Sequence, residues 1–135
     1  MKTLEESRAF FAGDRFALEL CGITIDEVSP GRARLSMPLT AMHLNAGGVA
    51  QGGAVYTLCD TAFAVAANAG GALTVSQGAN IAYLRPGTGG RLFALAEKIN
   101  EGRSTCLYRV KVTDERGALV AHATITGFRK DGSSA

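Results

Sequence analysis

The stretch Gly52-Gly-Ala-Val-Tyr-Thr-Leu-Cys-Asp-Thr-Ala-Phe-Ala-Val-Ala-Ala-Asn68 decides how this chain is expected to fold. Its apolar residues recur at the i, i+3, i+4, i+7 spacing of an α-helix, and its remaining positions carry a single charge, that of Asp60. A helix that is apolar nearly all round is buried on most of its sides. Because Gly70 and Gly71 suit the conformation that ends many helices, the sequence predicts one long central helix.

Asp60 is the only charged side chain between Arg34 and Arg85. An ionised carboxylate is costly to remove from water unless a partner compensates for the lost hydration. Titratable groups in such surroundings cluster at functional sites, which makes Asp60 the first candidate for chemistry. The alternative is a purely structural role, in which Asp60 pairs with polar side chains of the same helix, such as Thr57, Thr61 and Asn68.

Strand-like runs flank the predicted helix on both sides. Two precede it, at residues 22–28 and 32–37, and four follow it, at residues 73–84, 91–99, 105–113 and 118–128. A short amphipathic helix is expected within residues 1–13, and residues 130–135 form a polar tail that is expected to fray. This order predicts a single α+β domain over residues 1–135, in which an antiparallel sheet curls around the long helix and leaves its edges available for a second subunit.

Composition excludes several classes of protein. The 135 residues suit one domain, and 47% of them are hydrophobic, which is not typical of a disordered chain. A net charge of +2 with no block of Lys and Arg does not indicate nucleic-acid binding. The N-terminus lacks the apolar segment of a signal peptide, and polar and glycine residues interrupt the apolar stretch at 52–84, so no membrane span is expected.

The three cysteines, Cys21, Cys59 and Cys106, are widely spaced and form no C-x-x-C pair. They indicate neither a disulfide framework nor a zinc site, and a reducing cytoplasm is the expected location. Cys59 lies on the apolar face of the helix without a histidine at a telling spacing, so a role in the core is favoured over a role as nucleophile.

The start of the long helix is a second candidate for chemistry. Free backbone N–H groups at a helix N-terminus attract negative charge, and the pair Gly52-Gly53 lets a ligand approach them closely. Such a place suits the oxyanion of acyl transfer, although an ordinary helix start is equally compatible with the residues. Asp60 lies about 12 Å along the same helix. Two chains with antiparallel helices would bring Asp60 of one near Gly52 of the other, so a dimer is part of the catalytic hypothesis.

Other polar residues give weaker signals. Asn45 could orient a water or a carbonyl group, but it also suits a turn in a glycine-rich loop. His43 lies in that loop, and His122 alternates with apolar neighbours on a predicted strand, which favours a structural role. Arg85 and Arg103 stand at turns beside glycines and are candidates for phosphate contacts.

Three motifs together resemble the hotdog-fold acyl-CoA thioesterases, most closely the phenylacetate-degradation (PaaI-like) type. The first is Asn45-x5-Gln51-Gly52-Gly53-x6-Asp60-x-Ala62-Phe63-Ala64-x3-Asn68. The second and third are Ala79-Asn-Ile-Ala-Tyr-Leu-Arg-Pro86, which resembles the strand after the helix, and Gly102-Arg103-Ser104, which resembles a motif that joins two strands. The resemblance covers residues 22–128 in matching order.

The resemblance implies a six-stranded antiparallel sheet around the helix, and a homodimer, usually paired again into a tetramer, with its active sites at the dimer interface. It implies hydrolysis of an acyl-CoA thioester with no metal and no cofactor other than the CoA of the substrate. Asp60 would be the general base or the nucleophile, and the Gly52 amide, alone or with that of Gly53, would polarise the carbonyl. Asn45 would position the carbonyl or water, and Ser76 would hold the water. The expected CoA contacts are Tyr83, Arg85, Gly102, Arg103 and Ser104.

Gln51 departs from the family pattern, which usually has histidine before the glycine pair. Glutamine forms hydrogen bonds but exchanges no proton near neutral pH. A non-catalytic module that binds acyl-CoA is therefore an alternative to the enzyme. A hydratase or dehydratase on the same fold is less favoured, because His43 and His122 lie outside the helix motif. The alanine-rich helix surface and Phe63 leave room for an aromatic or medium-length acyl group.

Overall fold

The computed structural model describes residues 1–71 and 73–130. Two α-helices and six strands make up the fold, and their bounds are α1 Leu4–Phe11, α2 Gly52–Ala67, β1 Thr24–Ser29, β2 Arg32–Pro38, β3 Thr74–Tyr83, β4 Arg91–Glu101, β5 Thr105–Thr113 and β6 Leu119–Arg129. Each predicted helix and strand is confirmed, with bounds that differ by at most three residues. Of the predicted tail, only Lys130 lies within the described residues.

Two short helical turns were not predicted. One is a π-helical turn at Phe16–Leu20, which follows α1, and the other is a 3-10 turn at Ala41–His43 in the loop before α2. Both contain too few residues to show a helical period in the sequence. Each begins beside a side chain that accepts a hydrogen bond from the backbone: Asp14 Oδ1 accepts from Ala17 N at 3.1 Å, and Thr40 Oγ1 accepts from Met42 N at 3.2 Å.

The six strands form one antiparallel sheet in the order β1-β2-β4-β5-β6-β3. Helix α2 lies across its inner face and contacts all six strands. The core lies between them: Leu58, Phe63 and Val65 of the helix are buried, as are Val110 and Ile125 of the sheet. Burial of these apolar side chains is the main stabilising contribution to the fold.

The helix side chain Phe63 packs closely against Gly127 of β6. A Cβ atom there would lie 2.7 Å from Phe63 Cζ and 2.8 Å from Cys106 Sγ, so only glycine fits without displacing these side chains. Phe63 also meets Tyr108 edge to face, with ring centroids 5.4 Å apart. These contacts fix the position of α2 over the sheet, and with it the position of Asp60.

Strand β3 forms an open edge of the sheet. It pairs only with β6 among the described strands, and almost all of its ten residues are exposed. A bulge between Ser76 and Gly78 interrupts its register, and bulges are common at sheet edges and beside active sites. A long exposed edge with unpaired backbone groups readily accepts a further strand. None of the helices in residues 1–71 and 73–130 has the length and apolar character needed to cross a bilayer.

Candidate active site

The N-terminus of α2 presents two backbone amides without acceptors. Gln51 caps the helix, because its side-chain Oε1 accepts a hydrogen bond from Ala54 N at 3.0 Å. The backbone N–H of Gln51 donates to His43 O at 2.8 Å. The amides of Gly52 and Gly53 donate to no acceptor within residues 1–71 and 73–130. They stand at the positive end of the helix dipole and are available to a negatively polarised oxygen.

The two glycines are also held by local packing. The Tyr83 hydroxyl donates to Gly52 O at 2.9 Å, and a Cβ at Gly52 would be 3.4 Å from the Tyr83 ring. A Cβ at Gly53 would lie only 2.8 Å from Gln51 Oε1, so the capping position of that side chain depends on glycine at 53. The end of β3 therefore supports the helix start from one side, while Gln51 supports it from the other.

Asp60 lies half-buried on the side of α2 that is turned away from the core. Burial raises the pKa of its carboxyl above the ordinary value, a hydrogen bond with the Ser76 side chain lowers the pKa, and the negative charge of Asp14 raises it. Tyr56 lies one turn before Asp60. Burial raises the pKa of its phenol most, and the negative charge of Asp60 raises this pKa further. Asp60 and Ser76, predicted from separate parts of the sequence, are thus brought together.

The polar groups expected to pair with Asp60 in a structural role bond to the backbone instead. Thr57 Oγ1 donates to Gly53 O at 2.8 Å, and Thr61 Oγ1 donates to Thr57 O at 2.7 Å. The Asn68 side chain donates to Ala64 O at 2.8 Å and accepts from Thr74 N at 2.8 Å, which joins the end of α2 to β3. This structural explanation for Asp60 therefore loses the partners on which it depended.

Asn45 serves the turn and also faces a cavity. Its Oδ1 accepts from Gly47 N at 2.8 Å and Val49 N at 3.2 Å, so the alternative prediction of a turn asparagine is correct. A cavity of about 350 Å³ is lined by Asn45 together with Gly52, Tyr83 and Arg85. Since the side-chain oxygen is occupied by the turn, the amide NH₂ group is the part that can donate to a ligand in this cavity.

The three residues Gly102, Arg103 and Ser104 lie far from that cavity within one protomer. They form the turn between β4 and β5, where Arg129 donates to Arg103 O at 2.8 Å and to Ser104 O at 2.8 Å. The register places Thr74, the first residue of β3, beside Arg129, whereas Tyr83 at the other end of β3 lies beside Ala121. The predicted CoA contacts are therefore split between the two ends of β3.

Two further candidates, Cys59 and His43, are held in the core or by hydrogen bonds to their surroundings. Burial, together with the Asp60 charge, raises the pKa of Cys59 to about 12, so its thiol stays protonated at neutral pH. His43, predicted to lie in the loop before α2, is buried there, with Nε2 2.7 Å from Cys21 O and Nδ1 2.9 Å from Thr40 Oγ1. No cluster of three or more metal-ligating side chains occurs in the part of the chain that the structure describes.

Comparison with known proteins identifies the family. A model of the thioesterase superfamily matches residues 47–121, more than half of the chain. The chain belongs to this superfamily. The acyl-coenzyme A thioesterase PaaI of Escherichia coli (strain K12) is 34% identical over 121 residues, which cover 89% of this chain and 86% of PaaI. The predicted resemblance, the hotdog fold and the prediction of a thioester hydrolase are confirmed at this level.

Solved structures agree with this thioesterase assignment. The E. coli PaaI protein from the phenylacetic acid degradation operon superposes with a TM-score of 0.83 at 30% identity, and the match covers 94% of this chain and 96% of PaaI. A mutant of the phenylacetic acid degradation protein PaaI from Thermus thermophilus gives 0.79 at 40% identity, over 83% and 96% of the two chains. A Streptococcus mutans protein bound to acetyl-CoA gives 0.75 at 29% identity, over 78% and 86%.

Two features of the candidate site were not predicted from the sequence. Asp14, in the turn after α1, contributes charge near Asp60, although 46 positions separate the two residues in the sequence. Tyr56 stands beside Asp60 on the exposed side of the helix. The i, i+4 spacing of Tyr56 and Asp60 was a signal that could have revealed their proximity, whereas only the folded chain shows the proximity of Asp14.

Proposed function

We propose that this protein hydrolyses an acyl-CoA thioester to the free acid and CoA. The observation that carries the proposal is that α2 presents a half-buried carboxylate and two amides without acceptors, all on surface that the core does not cover. A carboxylate that activates water and amides that stabilise an oxyanion are the two groups that acyl transfer to water needs. The similarity to an acyl-CoA thioesterase and to a protein that binds acetyl-CoA supports CoA as the leaving group.

The proposed site contains residues of two protomers. Asp60 and Gly52 lie eight residues apart on one helix, so they cannot meet at one carbonyl group within a chain. If the open edges of two β3 strands pair antiparallel about a twofold axis, the two α2 helices also run antiparallel, and Asp60 approaches the partner's Gly52. The same operation brings the Arg103 turn towards the partner's Tyr83 and Arg85, which reunites the predicted CoA contacts.

In the proposed reaction, the thioester carbonyl oxygen accepts hydrogen bonds from the Gly52 amide and from that of Gly53. Asp60 takes a proton from a water molecule held by Ser76, and the resulting hydroxide adds to the carbonyl carbon. Collapse of the tetrahedral intermediate breaks the C–S bond and releases CoA thiolate, which takes up the proton, while the acyl group leaves as the acid. Asp60 as nucleophile is the second route: it would form a mixed anhydride that water then hydrolyses.

The first experiment compares free-thiol release by the wild type and by Asp60→Asn across aryl- and fatty-acyl-CoA esters. The variant keeps the shape of the side chain but removes its charge, so kcat should fall by about 10²- to 10⁴-fold. Asp26→Asn is the matched control, because Asp26 is a partly exposed carboxylate of β1 outside the proposed site, and it should retain activity. Equal rates for wild type and Asp60→Asn would refute the proposed role.

A binding module without turnover is the second candidate function. Gln51 favours it, because the side chain at the position of the usual family histidine is engaged as a helix cap and exchanges no proton. This candidate requires tight binding of acyl-CoA by a folded dimer that releases no thiol. The hydratase alternative is less favoured, because both ring nitrogens of His43, one of its two candidate histidines, lie within hydrogen-bonding distance of Cys21 and Thr40. A tetramer and a cytoplasmic location remain predictions.

A further inference from the structure

A second cavity lies beside the start of α2, outside the residues predicted to bind CoA. Its volume is about 340 Å³, within the usual range for small-ligand sites. It lies where the π-helical turn, the 3-10 turn and the first turn of α2 meet. Its apolar lining residues are Phe16, Leu20, Cys21, Met42, Leu44 and Ala54.

The walls of this cavity expose large apolar side chains to solvent. Leu20 is 72% exposed and Met42 is 89% exposed. Phe16 and Leu44 are exposed as well, so four large apolar residues surround one concavity. Isolated exposed apolar residues are ordinary, but a concave cluster of them marks a place that an apolar group covers.

The polar groups that line the cavity are largely engaged elsewhere, and none of the described residues that line it carries a charged side chain. His43 Nε2 lies 2.7 Å from Cys21 O, and its Nδ1 lies 2.9 Å from Thr40 Oγ1. Gln51 uses its Oε1 in the helix cap and retains only its NH₂ group as a donor. The ligand best suited to such a site is neutral and apolar along most of its length, with at most one acceptor near Gln51.

The position of the cavity relative to the start of α2 indicates which apolar group it binds. Gln51 and Ala54 line this cavity, whereas Gly52 lines the one that contains Tyr83 and Arg85. The amides that would hold a thioester carbonyl therefore stand between an uncharged apolar cavity and a cavity with an arginine. A thioester has the same asymmetry: an apolar acyl group on one side of the carbonyl and CoA, with its phosphates, on the other.

We propose that the cavity between the π-helical turn and the first turn of α2 binds the acyl group of the thioester, and that Phe16 and Ala54 determine which acyl chains fit. The proposal rests on the proposed function for its carbonyl site. Both turns that form the cavity lie outside the sheet, so the length and sequence of residues 16–21 and 41–44 set its depth. The substrate class is a medium-length or aryl-substituted acyl group whose chain passes Gln51 and ends against Phe16 and Leu20.

The test measures binding and turnover separately as functions of chain length. Binding uses 2-oxoalkyl-CoA thioethers, which keep a carbonyl group but lack the scissile C–S bond to it, in a calorimeter. Turnover uses kcat/KM for straight-chain acyl-CoA esters. Each methylene buried in the cavity should raise both affinity and kcat/KM by about fourfold until the cavity is full.

Two variants should shift this series in different ways. Ala54→Leu fills the cavity from the helix side, so the ratio of kcat/KM for long chains to kcat/KM for acetyl-CoA should fall at least about tenfold. Phe16→Ala removes one wall of the cavity. The rise in affinity and kcat/KM per methylene should then be smaller for medium-length chains, and longer chains should fit. Ile99→Ala is the control, because it truncates an exposed apolar residue of β4 that does not line this cavity.

The outcomes separate this proposal from the proposed function. Hydrolysis without dependence on chain length, or equal effects of Ala54→Leu on acetyl and long-chain esters, would overturn the acyl cavity and leave the thioesterase intact. Length-dependent binding without hydrolysis would refute the enzyme and retain the cavity. If Phe16→Ala changes the oligomeric mass in solution but not the chain-length series, a second copy of the chain covers these residues and the proposal is wrong.

Discussion

The two faces of helix α2 differ in composition and in the state of their polar groups. On the core face, Leu58, Phe63 and Val65 expose at most 1% of their surface. On the open face, Gly53 is exposed, and Tyr56, Thr57, Asp60 and Ala64 are partly exposed, although they belong to the same helix. Apart from Thr61, whose hydroxyl donates to Thr57 O, the side chains that the helix buries are apolar, whereas the open face carries the one carboxylate.

This contrast shows that different constraints determine the residues on the two faces of α2. Packing against the sheet accounts for the core face, where any change in volume should be felt. Packing does not account for Asp60, nor for two amides without acceptors, since each would be more easily satisfied elsewhere. The core face therefore determines where the helix lies, and the open face determines what reaction it can support.

The largest effect on stability should come from the core face. Phe63→Ala removes the contacts with Tyr108 and with β6 at Gly127, and should lower the free energy of unfolding by about 3–5 kcal/mol. Urea unfolding followed by circular dichroism measures this loss. The matched change on the open face, Thr57→Ala, should shift the free energy by less than about 0.5 kcal/mol. Similar losses for both variants would show that the two faces do not differ as described.

Next to the loss expected for Asp60→Asn, a large effect on activity should come from removing one N–H group at the start of the open face. Gly52→Pro removes the N–H group, and proline suits the first residue of a helix. Gln51 already has φ −67° and ψ 133°, which is the backbone region required before proline. The variant should therefore fold normally, yet lose about 10²- to 10³-fold in kcat.

Gly52→Ala is the control for this experiment, because it adds a Cβ but keeps the amide. That Cβ would lie 3.4 Å from the Tyr83 ring, an ordinary contact, so the alanine variant should stay within a few-fold of the wild type. Thiol-release kinetics at saturating acyl-CoA distinguish the two. If proline and alanine at this position give the same rate, the amide has no part in the reaction.

Mixing two inactive variants tests whether the open face of α2 in one protomer acts together with the open face of α2 in the other. Asp60→Asn and Gly52→Pro, unfolded together in equal amounts and refolded, should form mixed dimers for about half of the molecules, each with one intact site out of two. Activity should return to about a quarter of the wild-type value. No recovery, in a mixture shown by mass measurement to contain mixed dimers, would place both residues in a site within one chain.

The smallest expected effect concerns the pH at which Asp60 becomes ionised and hydrolysis begins. Asp60 must be ionised, so activity is present above its pKa and is lost as pH falls through that value. The hydrogen bond with Ser76 lowers this pKa. Ser76→Ala should therefore raise it and move the acid limb of the kcat profile to higher pH, with several-fold less activity on that limb. A parallel loss at every pH would instead indicate that Ser76 only positions water.

Much of the fold follows from patterns within short segments. The apolar period of α2 and the alternation in β5 are local, and both elements were predicted to within one residue at each end. The order of strands depends on long-range pairing. That β3 lies beside β6 rather than beside β2 follows from register contacts that no local pattern contains.

The candidate site shows the same division. Asp60 and Gly52 were predicted because each stands out against its neighbours, as a lone charge and as a glycine at a helix start. The apolar cavity beside Ala54 was missed because it is assembled from two short turns and the helix, and Phe16 and Met42 look like ordinary core residues in the sequence. The burial of His43 within its predicted loop was missed for the related reason that its partners, Thr40 and Cys21, meet it only in the folded chain.

The open edge of β3 also affects how the protein must be made. A newly folded protomer carries ten residues of sheet edge whose unpaired backbone groups are a template for pairing with an extended chain, either from a second protomer or from a partly folded one. Correct pairing and aggregation are then competing second-order processes, so both depend on protein concentration. Slow synthesis and dilute refolding should favour correct pairing, and the yield of active enzyme should pass through a maximum as concentration rises.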